Sequence, residues 1–148
     1  MSTIVTRAAK GSALTWTEVD ANFTNLNTDK LERVVGVISG GFGYTSGAGG
    51  TVTQATSRTT GVTLNKLCGA ITLVSAAGSA TWASFTVTNS VVAATDTVII
   101  CQKSGTDLYE VMVTAVAAGS FRVSFRTTGG VTTEQPVFNF AVVKAVTA

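Results

Sequence analysis

Hydrophobic and polar residues alternate through most of the chain after Thr51, with the period of two that half-buried β-strands show. The clearest case is "SFRVSFRT", in which Phe121, Val123 and Phe125 share one face and Arg122, Ser124 and Arg126 share the other. Clusters of Gly, Ser, Asn or Asp separate it from similar segments rich in branched and aromatic residues, namely "GVTLNKL", "AITLVS", "WASFTVTN", "DTVIICQ", "LYEVMVTAV" and "VFNFAVVKAV". This pattern predicts a mainly β fold, a jelly-roll-like antiparallel β-sandwich.

The last of these segments, Val137 to Val146, carries apolar residues on both faces. A strand that is apolar on both faces is buried on both sides. We therefore expect it to lie in the centre of a sheet or in a subunit interface.

One helix is predicted ahead of the β region, at about residues 15–29. Thr15 can cap the helix while Glu18, three residues later, bonds back to it. Leu14 before the cap and Val19 in the helix add a hydrophobic staple. Four local signals thus agree on where this helix begins.

Apolar residues within the helix follow a spacing of three, four and three. They are Trp16, Val19, Phe23 and Leu26, hereafter the seam. This is the a/d spacing of helices that pack against other helices. A helix this short is marginal in water by itself, so we expect the seam to be buried against copies of itself or against a host surface. The alternative is that the seam folds back onto the β region.

The chain between helix and β region is glycine-rich. Residues 3–12 are expected to be extended and "ERVVGVIS" (Glu32 to Ser39) to form a strand, and half of "SGGFGYTSGAGG" is glycine. No G-K-[ST] follows these glycines and the next segment is β-like, which excludes a nucleotide-binding loop. We predict an N-terminal attachment and trimerisation segment (1–38), a glycine-rich neck (39–50) and a β head (51–148).

Composition narrows the choice of partners. Hydrophobic residues make up 45% of the 148 residues and charged residues only 12%, and a surface with so few charges favours contact with other protein. The net charge of +2 comes without a basic run, which argues against nucleic-acid binding. The sequence contains no apolar run long enough to span a membrane and no secretory signal pattern, so no membrane partner and synthesis in a cytoplasm are expected.

Cys68 and Cys101 each fall inside a predicted strand. Reduced cysteines behave as small hydrophobic residues. We expect two free thiols in the core, although the sequence does not exclude a disulfide between them.

Residue types that commonly carry catalysis are scarce in this chain. The chain has no histidine, which removes Ser-His and Cys-His pairs and the common zinc sites. The acids of the β region are Asp96, Asp107, Glu110 and Glu134, and turn or Asx-type bonding accounts for the first two. We expect no enzyme activity, no cofactor and no metal. The alternative, an enzyme that degrades cell-wall polymer, would need one of these four acids, and loss of such an activity on changing Asp107 or Glu110 would support it.

Trp82 is the remaining candidate for a binding residue. It precedes Phe85 and Val87 by an odd number of positions, so it should lie on the opposite face of the strand. An exposed aromatic ring on a sheet could stack on a sugar ring or contact another subunit. The subunit or sheet contact is the favoured interpretation.

Two parts of the chain resemble bacteriophage virion proteins. "LTWTEVDANFTNLNTDKLE" resembles a short N-terminal motif of phage fibre proteins, with Asp20, Asn22, Phe23 and Leu26 as the recognisable positions. "GTVTQATSRTTGVTLNKLCGAITL", "YEVMVTAVAAGSFRVSFRT" and "VFNFAVVKA" are similar to a compact β domain of small phage and prophage virion proteins. Together these segments cover about half of the chain.

The resemblance implies a homotrimer that is assembled in the host cytoplasm and ends in the virion. Its partners would be copies of itself and phage capsid or tail proteins. The long shaft typical of receptor-binding fibres is missing between helix and head, which favours a small head fibre or capsid decoration protein. The alternative is a short tail fibre or adhesin whose β head binds a host-surface glycan or protein.

Overall fold

The computed structural model describes residues 4–33, 37–38, 41–44 and 46–145, with side chains for all of these except 26–33, 37–38 and 41–42. The chain divides into two compact units, unit 1 (Met1–Thr45) and unit 2 (Ser46–Ala148). The division falls inside the segment 39–50 that the sequence predicts as a neck. The fold is mainly β, as the sequence predicts, with its helices in unit 1.

Unit 1 contains two helices and a short hairpin: α1 (Arg7–Lys10), α2 (Trp16–Arg33), β1 (Val37–Ile38) and β2 (Gly41–Phe42), the last two pairing antiparallel. The prediction that residues 3–12 are extended is wrong for α1. Thr6 caps this helix by accepting a hydrogen bond from the Ala9 N–H at 3.2 Å. Gly11 ends it in the left-handed conformation, with φ 72°.

Helix α2 is longer than the predicted 15–29, and the strand predicted at 32–39 is correspondingly shorter. Glu32 and Arg33 belong to α2, and Val37–Ile38 is the described strand within that segment. Residues 34–36 and 39 lie outside the described residues. The helix extends through "KLER" because these four residues are strong helix formers.

The described strands of unit 2 are β3 (Gly49–Thr53), β4 (Val62–Thr63), β5 (Cys68–Thr72), β6 (Ala76–Ala77), β7 (Ala83–Thr88), β8 (Thr97–Ser104), β9 (Tyr109–Ala117), β10 (Ser120–Thr127), β11 (Thr133–Glu134) and β12 (Val137–Val143). Sheet I has the order β3-β5-β12-β8, and sheet II has the order β4-β7-β10-β9. Strands β6 and β11 form a separate pair.

Both sheets contribute to one core. The predicted alternation of β10 is confirmed, since Phe121, Val123 and Phe125 are buried. Sheet I supplies Phe138, Phe140 and Val142 from β12, and the rings of Phe125 and Phe138 meet edge to face with centroids 5.7 Å apart. Strand β12 lies between β5 and β8, so the expectation of a central position for it is confirmed.

The pairing is not purely antiparallel, in contrast to the prediction. Strand β3 pairs in parallel with β5, and β4 pairs in parallel with β7. The chain passes from β3 in sheet I to β4 in sheet II before it returns to β5. A strand that returns to its sheet through such a crossover runs parallel to the strand it left.

Unit 2 has two distinct ends. The chain enters at Gly47, whose carbonyl accepts a hydrogen bond from Lys66 Nζ at 3.1 Å, and β3 then runs to the opposite end. Segments 54–60, 73–82, 105–108 and 128–136 lie at that opposite end, hereafter the far end. Arg58 links its own segment to 73–82, to 128–136 and to the start of β9 by donating to five acceptors: Val74 O, Ala76 O, Ala77 O, Glu134 O and Tyr109 Oη.

The two cysteines do not lie in the core, so that prediction is wrong. Both are free thiols, Cys68 half-buried and Cys101 exposed. Cys68 pairs with Ala141 and Cys101 pairs with Asn139 on the outward side of sheet I. Their neighbours in sequence, Gly69 and Ile100, occupy the inward positions instead.

Candidate functional site

The start of α2 has the predicted capping box. The Thr15 N–H donates to Glu18 Oε2 at 2.7 Å, and the Glu18 N–H donates to Thr15 Oγ1 at 3.3 Å. Lys10 Nζ lies 2.5 Å from the same carboxylate oxygen of Glu18. The cap therefore also ties α1 to α2.

The segment before α1 is bound to α2 through Asn22. Asn22 Oδ1 accepts from the Val5 N–H at 2.8 Å, and Asn22 Nδ2 donates to the Val5 carbonyl at 2.7 Å. In the sequence, Asn22 stands out only as one of the recognisable positions of the motif that resembles phage fibre proteins. Because a primary amide carries both a donor and an acceptor, it can bind an extended backbone as a neighbouring strand would.

The aromatic side chains of the seam are uncovered in the chain. Trp16 is 86% exposed and Phe23 is 69% exposed, whereas Val19 is half-buried. Trp16 and Phe23 lie about 20° apart around the helix axis, with Asn22 about 100° from Phe23. The N-terminal segment thus binds one side of α2. Beside it, Trp16 and Phe23 form an exposed surface, hereafter the aromatic edge. Leu26 is in α2, but its side chain lies outside the described residues.

Acid is expected to loosen this helical arrangement only at a pH below that at which ordinary carboxyls are protonated. The hydrogen bond from Lys10 and those from Thr15 lower the pKa of Glu18 from 4.5 to about 2. Since the folded-state pKa is depressed, the stabilisation by Glu18 is fully present above about pH 4.5 and is lost as the pH falls towards 2. The Thr15 amide resonance of the full chain, followed by NMR against pH, should report this titration.

The matched control is Glu18→Gln, which keeps a side-chain acceptor but cannot ionise. The Thr15 amide of this variant should show no transition between pH 4.5 and 2. A transition of the wild-type amide centred at the ordinary value of a glutamate would contradict the proposed bonds.

Trp82 lies on the outward side of sheet II, opposite the buried Phe85 and Val87. Its side chain is 43% exposed. The guanidinium carbon of Arg126 lies over the indole, 4.9 Å from the ring centroid, and Arg126 Nε is 2.6 Å from Glu110 Oε2. Sequence reasoning found the face of Trp82 but missed Arg126 as its partner.

The acids of unit 2 hold structural bonds. Asp96 accepts from the Ala93 N–H at 2.8 Å, a local bond to the residue three positions earlier in place of the predicted Asx-type bond, and lies 2.5 Å from Lys144 Nζ. These bonds, the Ala93 N–H first, lower the pKa of Asp96. Asp107 Oδ2 accepts from the Thr132 N–H at 2.8 Å.

Glu134 is bonded in the same way. Its carboxylate accepts from the N–H groups of Thr106 and Asp107. In the part of the chain that the structure describes, no three His, Cys, Asp or Glu side chains converge as a metal site would require. Within the same described residues, the helices are too short or too polar to cross a membrane.

Comparisons with known proteins give no further assignment, since no family model, no curated protein and no solved structure matches this chain.

Proposed function

We propose that this chain is a structural protein of the bacteriophage virion, a small homotrimeric head fibre or capsid decoration protein. Unit 1 attaches it to the particle and joins the three copies. Unit 2, a jelly-roll-like β-sandwich, is the displayed head. Its activity is assembly, with no catalytic step and no cofactor.

The aromatic edge of α2 carries this proposal. Trp16 and Phe23 are 86% and 69% exposed on a helix that is capped and tied to α1. Burying both rings would contribute on the order of 5 kcal/mol per chain. That is comparable to the whole stability of a small domain, so a binding partner for this edge is strongly favoured.

A second copy of the chain is the partner that the a/d spacing fits best. Residues 16, 19, 23 and 26 would face the same residues of the neighbouring copies around a common axis. The number three follows from the resemblance to phage fibre proteins. A mass of three times 15.1 kDa in sedimentation equilibrium is the expected result for the assembled chain.

Phe23→Asp is the sharpest test of attachment. The variant places a charge in the middle of the aromatic edge, where burial in an interface would leave it unpaired. We expect particles produced with this variant to lack the protein, and the purified variant to sediment as a monomer. Thermal unfolding of unit 2 should not change, because the substitution lies in the other unit.

Ala21→Asp is the matched control. Ala21 is an exposed residue of the same helix, and it lies about 160° from Phe23 around the axis. It adds the same charge and lowers the helix propensity more than Phe23→Asp does, but it should leave incorporation at the wild-type level. Normal occupancy of particles by the Phe23→Asp variant would overturn the attachment hypothesis.

The position on the particle distinguishes the main proposal from its alternative. Immunogold electron microscopy with antibody against residues 51–148 should label the phage head. Label confined to the tail would instead favour a short tail fibre or adhesin, with unit 2 as the part that meets the host surface.

A further inference from the structure

We propose that the outward face of sheet II carries a binding site for a neutral saccharide, centred on Trp82. This inference does not depend on where or how the chain is attached. It follows from the arrangement of side chains across strands β7, β10 and β9, close to the far end of unit 2.

The centre of this site is a cross-strand row. Arg126 pairs with Glu110, and Trp82 directly precedes the residue of β7 that pairs with Phe125. Trp82, Arg126 and Glu110 therefore follow one another across the sheet. The Glu110 carboxylate fixes the guanidinium at 2.6 Å, and the guanidinium in turn covers one part of the indole. The indole is thus held in one orientation before any ligand arrives, which lowers the entropic cost of binding.

The exposed part of the indole is not required by the core. The buried aromatic rings of unit 2 already belong to one hydrophobic core without it: Phe85, Tyr109, Phe121, Phe125, Phe138 and Phe140. Trp82 nevertheless remains 43% exposed. Tryptophan offers a large apolar surface at a small cost in conformational entropy, which is why it is frequent at binding surfaces.

Hydroxyl groups line the next row of the same face. Ser84 and Ser124 lie 2.9 Å apart, and Thr114 Oγ1 lies 3.0 Å from Ser124 Oγ. Ser124 is buried and Ser84 is half-buried, so Thr114 is the exposed hydroxyl of this row, and it can act as donor or acceptor. Met112, which pairs with Ser124 and is 45% exposed, adds an apolar contact.

The charges of the row favour a neutral ligand. The Arg126 charge is compensated by Glu110 at 2.6 Å, so the row as a whole has no net charge. Among the described residues, the structure shows no acceptor for the Nη groups of Arg126 and no donor to Glu110 Oε1. These atoms can bind ligand hydroxyls by charge-assisted hydrogen bonds.

A pyranose ring meets all of these conditions. Its C–H face can cover the exposed indole, while its hydroxyls bind Arg126, Glu110 and the exposed Thr114 hydroxyl. A phosphate or nucleic acid would instead require uncompensated cations. A divalent cation would require more oxygen ligands than this face provides.

The chain itself provides a direct reporter. It has two tryptophans, so Trp16→Phe leaves Trp82 as the single source of indole fluorescence. The full chain would first be screened on an array of neutral and acidic oligosaccharides. The Trp16→Phe variant would then be titrated with the neutral oligosaccharides retained, with maltohexaose and chitohexaose as reference probes.

We expect saturable binding of at least one neutral oligosaccharide, with a change in Trp82 emission over the same concentration range. Trp82→Ala should weaken that binding roughly tenfold or more. Trp82→Phe, which keeps an aromatic face, should retain part of the oligosaccharide binding. This variant separates the loss of a binding contact from a folding defect. Val131→Ala, which truncates another exposed apolar side chain of the far end, should bind as the wild type does.

Three outcomes would overturn the proposal. The first is an array on which no neutral glycan is retained. The second is equal retention by the wild type and by Trp82→Ala. The third is retention of acidic glycans alone, which would point to the exposed Arg122. If Trp82→Ala also dissociates the oligomer while no glycan binds, Trp82 is a subunit contact.

Discussion

Arg58→Lys is expected to lower the free energy of unfolding of unit 2 by about 3 kcal/mol or more. The guanidinium donates to five acceptors that come from several segments of the far end, at 2.5 Å for Ala76 O, 2.7 Å for Glu134 O and 2.9 Å for Tyr109 Oη. A lysine keeps the charge but has three donors on one atom, so it cannot reach all of these acceptors. The carbonyl groups left behind are partly buried, and each costs about 1–3 kcal/mol when unpaired.

Thermal unfolding followed by circular dichroism would measure this effect. For a domain of this size, we expect the midpoint to fall by roughly 15 °C. Arg122→Lys is the matched control, because Arg122 is exposed on β10 and its replacement should leave the midpoint within a few degrees. Equal midpoints for the two variants would show that Arg58 does not hold the far end together.

Gly69→Ala is expected to destabilise unit 2 by a similar amount, roughly 3 kcal/mol. Gly69 faces inward on β5, directly opposite Phe140 on β12. An added Cβ would lie 2.6 Å from the Gly50 carbonyl oxygen and 2.7 Å from Leu64 Cδ2. The leucine could move, but the carbonyl belongs to the backbone of β3. We therefore expect β3 to separate from sheet I or the core to expand.

Chemical denaturation of both Gly69→Ala and Gly129→Ala would test this explanation. An added Cβ at Gly129 meets no atom within 4 Å, so that variant should unfold at the wild-type midpoint or slightly above it. Hydrogen exchange of the β3 amides should increase only in Gly69→Ala. If Gly69→Ala unfolded at the wild-type denaturant midpoint, the strands would accommodate the added Cβ without a loss of stability.

Features that depend on neighbouring residues could be predicted from the sequence. The burial of Phe121, Val123 and Phe125 follows from strict alternation, and the Thr15–Glu18 cap follows from two residues three positions apart. The outward face of Trp82 follows from the same parity rule.

Features that depend on distant residues could not be predicted. The partners of Arg58 lie up to 76 positions away, and nothing in "TSRTTG" distinguishes this arginine from an exposed one. The parallel edges of both sheets likewise depend on which sheet the chain enters next.

The cysteines were misplaced for a related reason. Gly69 occupies the inward position beside Cys68 but has no side chain. The sequence of β5 therefore does not show which of its residues face the core. In β8 both faces carry apolar residues, with Ile100 partly buried and Ile99 56% exposed. Local pattern therefore cannot decide which way Cys101 points.

The exposed thiol of Cys101 also affects how the molecule behaves outside the cell. In air-exposed buffer, the thiolates of two chains can form an intermolecular disulfide. Such covalent pairs would inflate the mass of a purified sample independently of the seam on α2. A reductant, or a variant in which Cys68 and Cys101 are both replaced by Ser, leaves non-covalent assembly as the source of larger species, and Cys101 is the more exposed of the two thiols for labelling with a fluorescent maleimide.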